Sequence, residues 1–226
     1  MQLNGTPRVV ILKGSQTEAV LRNQQVYTQA VSTLLSSFSN RNKLTVNTSK
    51  VATALEHEFP ELETVSVSVP LLGNRPVVTI QPGVPELIFA TQSGTYLLDS
   101  NGRALVASSQ VPNLASLNLP VVNDQSGLSV AVGSIALPQS TVSFISEVIG
   151  QLQAKNLTTT SLVLPVGATE LQTTLKGEGY VVKYGLYGDA REEVGAYLAV
   201  KHYLDTNHIT PSSYVDVRVA GKAYYK

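Results

Sequence analysis

The sequence predicts an α+β fold in two units, and three observations carry that reading. The first part of the chain runs strand, helix, helix, strand, strand. A stretch dense in Pro and Gly, Gln81-Pro82-Gly83-Val84-Pro85, then breaks the pattern. Beyond it, short alternating runs and tight turns are punctuated by two amphipathic helices. The joint falls near residue 83, giving units of residues 8–82 and 83–226. A chain of 226 residues can bury one large core or two small ones, since cores are commonly built from roughly 100 to 200 residues.

Residues 8–12 form a short apolar run that Lys13-Gly14-Ser15 stops, as a strand followed by a turn. From Asn23 to Phe38, Val26, Ala30, Leu34, Leu35 and Phe38 recur at helical spacing. Asn47, Thr48 and Ser49 offer N-caps for a second helix carrying Val51, Ala54, Leu55 and Phe59, which Pro60 closes. Val65, Val67 and Val69 alternate with Thr64, Ser66 and Ser68. Residues 77–81 supply another strand after the connection Leu71-Leu72-Gly73-Asn74-Arg75.

In the second unit, residues 86–90 and 94–98 read as strands. Asp99-Ser100-Asn101-Gly102-Arg103 predicts a hairpin through a type I′ Asn-Gly turn to residues 104–106. Helices are expected over residues 139–154, with Val142, Ile145, Val148, Ile149 and Leu152 on one stripe, and over residues 190–206, with Val194, Tyr197, Leu198 and Leu204. Asp189 with Glu192 three residues later reads as a capping box. Between the helices, residues 161–164, 170–175 and 180–184 are strand-like, so the unit is expected to be a mostly antiparallel sheet with two helices packed on it.

Composition removes several kinds of function. Sixteen basic and sixteen acidic side chains balance, leaving no global electrostatic footprint for nucleic acid. With no Cys there is no disulfide, thiol nucleophile or thiolate metal site, and His57, His202 and His208 lack metal-pair spacing, so neither a metal nor a cofactor is expected. No stretch approaches the roughly 20 apolar residues that span a bilayer. Gly177-Glu178-Gly179 lacks the third Gly of a nucleotide loop, and no Ser sits in a Gly-x-Ser-x-Gly elbow. Glu56, Glu58, Glu61 and Glu63 around Pro60 read as a solvated acidic rim, and no catalytic residue is assigned.

The end of the chain is the most informative segment. Val215, Val217 and Val219 share one face of an extended run, and Tyr214, Asp216 and Arg218 share the other. A break at Gly221 precedes a second extended stretch ending at Lys226. A strand there would place a sheet edge at the chain end, open to addition of another polypeptide. Asp216 and Arg218 can bracket neighbours across the sheet, and Tyr224 and Tyr225 read equally as packed edge residues or partner anchors.

Tyr214, Asp216, Arg218, Gly221, Tyr224, Tyr225 and Lys226 together resemble the closing motif of the FtsQ/DivIB family of bacterial division proteins. The order of elements in residues 8–82, with Val51, Leu55, Phe59, Pro60, Val65, Val67 and Val69, is similar to a POTRA domain. The resemblance covers residues 8–226 and implies a POTRA-like domain followed by the family's β domain. It also implies a membrane anchor preceding the first strand, with this region on the extracytoplasmic side at the division septum.

On that resemblance the protein is a non-enzymatic scaffold that binds FtsB/DivIC-like and FtsL-like partners and helps regulate septal peptidoglycan synthesis. The partner strand would dock on Arg218, Val219, Ala220, Gly221, Lys222, Ala223, Tyr224 and Tyr225. A Pro at Lys222 or Ala223 would then remove an outward-pointing donor. The other readings are a hydrolase built from dispersed Ser, His and Asp residues and a POTRA-bearing translocation component.

Overall fold

The computed structural model describes residues 3, 6–12, 21–36, 42–70 and 75–226. The turn expected at Lys13-Gly14-Ser15, Phe38 in the first helix and residues 71–74 of the connection lie outside the described residues. The chain is α+β, and its described residues form two separate sheets.

The first sheet has three strands, β1 (Arg8–Ile11), β2 (Leu62–Ser68) and β3 (Val77–Pro82), in the order β1-β3-β2. Central β3 is parallel to β1 and antiparallel to β2. The parallel pair requires a crossover, which the two helices α1 (Gln24–Ser36) and α2 (Thr48–Glu58) help provide before β2 leads into β3. Val78 and Ile80 of β3, Val9 and Val65 face those helices and are buried with Val51, Leu55 and Phe59. Asn47 caps α2 by accepting from the Lys50 amide at 2.9 Å. Phe59, out of helical conformation ahead of Pro60 with φ −124° and ψ 81°, ends it.

The buried stripe of α1 differs from the one the sequence predicts. Tyr27, Val31 and Leu35 face the core, whereas Val26 is 39% exposed. The helix is rotated toward Tyr27 because that ring stacks edge-on against Phe59, with centroids 5.0 Å apart, and its hydroxyl donates to Glu61 at 3.2 Å.

The second sheet has nine strands: β4 (Pro85–Thr91), β5 (Gly94–Asp99), β6 (Ala104–Ala107), β7 (Val121–Asp124), β8 (Thr159–Leu164), β9 (Glu170–Leu175), β10 (Val181–Gly185), β11 (Tyr214–Asp216) and β12 (Tyr224–Tyr225). Their order is β12-β11-β10-β9-β8-β7-β4-β5-β6. The sheet is mixed. The pairs β4 with β7, β7 with β8, and β10 with β11 are parallel, and the other pairings are antiparallel. Two of the parallel pairs are joined through helices, α3 (Gln139–Gln153) between β7 and β8 and α4 (Ala190–Thr206) between β10 and β11. Sequence reading missed β7, a four-residue strand whose outward positions, Val121 and Asn123, offer no clear polar alternation.

Both helices pack on one face, burying Val142, Ile145, Val148, Val194 and Tyr197 against Leu87, Phe89, Val122, Leu162, Val182 and Val215. Each such fully buried side chain contributes about 1.5–3 kcal/mol. The opposite face is also covered over β4, β5 and β6. Ile88, Leu97, Leu105 and Val106 form a second cluster there with Val111 and with Leu21, which precedes α1. Burial on both faces explains why β4 and β5 read as nearly continuous apolar runs.

The β5-β6 hairpin forms, but its turn is not type I′. Gly102 has φ +77°, whereas Asn101 is not in the left-handed region. The Gly102 amide donates to the Asp99 carbonyl at 2.9 Å, and the ladder closes from Asp99 to Arg103 at 3.1 Å, as in a three-residue loop with a left-handed Gly at its end. The Asp99 carboxylate selects this form by accepting from the Asn101 and Arg103 amides at 2.8 and 2.9 Å. The start of α4 is capped by Asp189 with acidic residues in its first turn, as the sequence suggests. Asp189 Oδ1 accepts from the Arg191 and Glu192 amides, while the next residue, Glu193, turns inward to accept from the Gly185 amide at 2.7 Å.

Candidate partner interface

The C-terminal edge of the large sheet is built by β10, β11 and β12. Val182 and Val215 are fully buried against α4, and that burial sets the register of the parallel β10-β11 pair. After Asp216 the chain leaves the ladder. Val217 is still buried and donates its amide to Lys183 at 3.1 Å, but Arg218 turns back because its amide and guanidinium are both captured by Asp216. The Lys222 amide then closes a turn onto the Val219 carbonyl at 3.0 Å, with Gly221 at φ +71°.

The strand at this edge is therefore shorter than the sequence suggests. Arg218, Val219, Ala220, Gly221, Lys222 and Ala223 are not in a strand, and only Tyr224 and Tyr225 pair, as β12. Nor does Val219 continue the apolar face of Val215 and Val217. It lies in the turn, 49% exposed. The Lys222 amide points into that turn, so it is not an outward-facing donor.

β12 is the last strand of its sheet, with no neighbour on its far side among the described residues. Lys226 exchanges backbone hydrogen bonds with Tyr214, its amide donating at 3.1 Å and its carbonyl accepting at 3.4 Å. Antiparallel ladders alternate, so Tyr224 also faces β11, whereas Tyr225, opposite Val215, directs its own amide and carbonyl outward. Tyr224 and Tyr225 are 50% and 44% exposed. This is an open edge with aromatic side chains on both faces and a free backbone donor and acceptor between them.

Arg218 is bound within the molecule. Its Nε and Nη2 grip the Asp216 carboxylate at 2.9 and 2.5 Å, and its Nη1 donates to Glu170 at the start of β9. Reaching β9 from the strand beyond β10 requires passing over Gly185, where a Cβ would stand 3.7 Å from the Arg218 Cβ and Cγ and 3.3 Å from a Glu193 oxygen. The guanidinium beside Asp216 holds that carboxyl below its ordinary range. Burial pushes Glu193 up, opposed by the bond from the Gly185 amide.

Glu61 overturns the reading of an acidic rim. It is completely buried, takes a hydrogen bond from Arg22 Nε at 2.5 Å and one from Tyr27, and through its carbonyl accepts the Gly83 amide at 2.8 Å. Glu56, Glu58 and Glu63 remain exposed. Arg22 also lies over the Phe59 ring, 5.6 Å from its centroid. No local pattern marks Glu61, because its partners stand 39 and 34 residues away.

The three histidines are exposed. His57 lines a groove of about 780 Å³ on α2 with Leu34, Lys50 and Glu58, His202 lies on α4, and His208 follows α4 at φ +55°. Among the described residues no group of His, Asp or Glu could hold a metal ion, and no helix is long and apolar enough to cross a membrane. The chain matches no family model and no curated protein.

Proposed function

We propose that this chain is a division scaffold resembling FtsQ/DivIB that captures an extended segment of an FtsB/DivIC-like protein by strand addition to β12. The observation that carries the reading is the open edge itself, where the Tyr225 amide and carbonyl point away from the sheet between two exposed tyrosines. Backbone pairing supplies the generic attraction. Tyr224 and Tyr225 supply the contact area that a two-residue ladder lacks.

The first unit is read as POTRA-like because β1 joins β3 in parallel while α1 and α2 cover the same sheet. In this proposal the scaffold acts without catalysis, anchored in the cell membrane with this region outside at the septum, and it also engages an FtsL-like partner to help regulate septal peptidoglycan synthesis. Titration of the purified chain with a peptide from an FtsB/DivIC-like protein of the same organism tests the reading. Saturable binding that shifts the Tyr224 and Tyr225 resonances supports it, and a peptide that leaves both unmoved counts against it.

A further inference from the structure

Arg218 was expected among the partner contacts, yet all of its strong hydrogen bonds go inward. The parallel register that pairs Lys183 with Asp216 sets Arg218 beside Gly185, and the antiparallel register of the next pair sets Gly185 beside Glu170. One guanidinium thus spans three strands, and it can do so because the residue beneath it has no side chain. Glu193 reaches the same spot from α4 to hold the Gly185 amide. The carboxylates of Glu170, Glu193 and Asp216 converge there, and Glu170 and Glu193 are almost fully buried.

Resting on the strand-addition reading, we infer that Arg218 is a positioning residue for the docking edge. Its fork ties the turn after β11 to Asp216 and Glu170, and so holds β12 in the register that turns the Tyr225 backbone outward. The turn itself has few other ties. Val219, Ala220, Gly221 and Lys222 are exposed and joined only by the Lys222–Val219 bond, while Ala223 packs on the core and Lys226 holds Ser213 and Tyr214 beyond the turn. A Lys at this position keeps the charge but cannot fork, so it meets one carboxylate at a time.

The test compares the full chain with R218A, R218K, E170Q and the double variant R218A/E170Q. It measures amide exchange at Tyr224 and Lys226, affinity for the FtsB/DivIC-like peptide, and global thermal unfolding. R218A and E170Q are each expected to speed exchange at both amides about tenfold and to weaken the peptide by a similar factor. R218K should fall between them and the parent, and the double variant should be little worse than R218A, because both changes cut the same tie. Amides in β4 and β5 serve as the internal control, since general destabilisation would speed those equally and would overturn the inference. Weakened binding with unchanged exchange at Lys226 would make Arg218 a direct contact and would also overturn it. If the parent fails to bind the peptide, the strand-addition reading falls, and the exchange measurements alone still decide whether Arg218 positions β12.

Discussion

Arg22 and Glu61 form an ion pair at 2.5 Å, with the carboxylate wholly buried and the arginine side chain only 13% exposed. The pair stands where the two sheets meet. Leu21, next to Arg22, is buried in the cluster on the back of β4, β5 and β6, and the Glu61 carbonyl holds Gly83 at the joint. Asn23, the residue after Arg22, lines a cavity of about 440 Å³ with Ile11, Gln24, Pro112 and Asn113.

Glu61→Ala would strand the arginine and the Tyr27 hydroxyl in a buried setting, at a cost of about 3–5 kcal/mol. Glu58→Ala, on the exposed rim, should change stability by no more than about 0.5 kcal/mol. Urea unfolding of both variants measures the difference, and similar midpoints would return Glu61 to the solvated rim.

Gly102→Val should be far more costly than a turn substitution alone. Besides its left-handed φ, a Cβ there would come within 1.9 Å of the Leu137 carbonyl oxygen, which is backbone and cannot swing aside. The expected loss is about 3 kcal/mol or more, read from thermal unfolding. An unchanged midpoint would mean that the turn is packed otherwise.

Glu193→Gln tests the electrostatics beneath Arg218. Burial raises the Glu193 carboxyl above its ordinary 4.5, so its contribution to stability is complete below the unfolded value and is lost as pH rises through the native one. Asp216 acts in the opposite sense. Held below its ordinary 3.8 chiefly by its hydrogen bonds to Arg218, it contributes above that value and loses the contribution as pH falls through the native one. Subtracting the pH-stability curve of Glu193→Gln from that of the parent should leave a difference that falls as pH rises from about 4. A flat difference would contradict the assignment.

Much of the fold was legible because it rests on local chemistry. The apolar stripe of α3, the Asn47 cap, Pro60 and the alternation in β2 each specify their element within a few residues. The stripe of α1 was misread because Tyr27 packs through long-range partners, Phe59 and Glu61. The parallel pairs of β4 with β7 and of β7 with β8 were missed with β7 itself, since a four-residue strand between turns carries little periodicity. A strand near the end of the chain was legible in the alternation of Val215 and Val217, although Val219 leaves that face. What sequence could not show is that Arg218 belongs to the sheet, because its partner Glu170 is 48 residues away and becomes its neighbour only through two strand registers.

The account turns on the outward backbone of Tyr225, and a pair of substitutions isolates it. Tyr225→Ala removes the side chain and keeps the amide. Tyr225→Pro removes both, while leaving the bonds by which Tyr224 and Lys226 hold β11. With both variants confirmed folded by circular dichroism, affinity for the FtsB/DivIC-like peptide should fall in Tyr225→Ala and fall a further tenfold or so in Tyr225→Pro, about the worth of one backbone hydrogen bond. Equal affinity of the Ala and Pro variants would contradict strand addition at this edge.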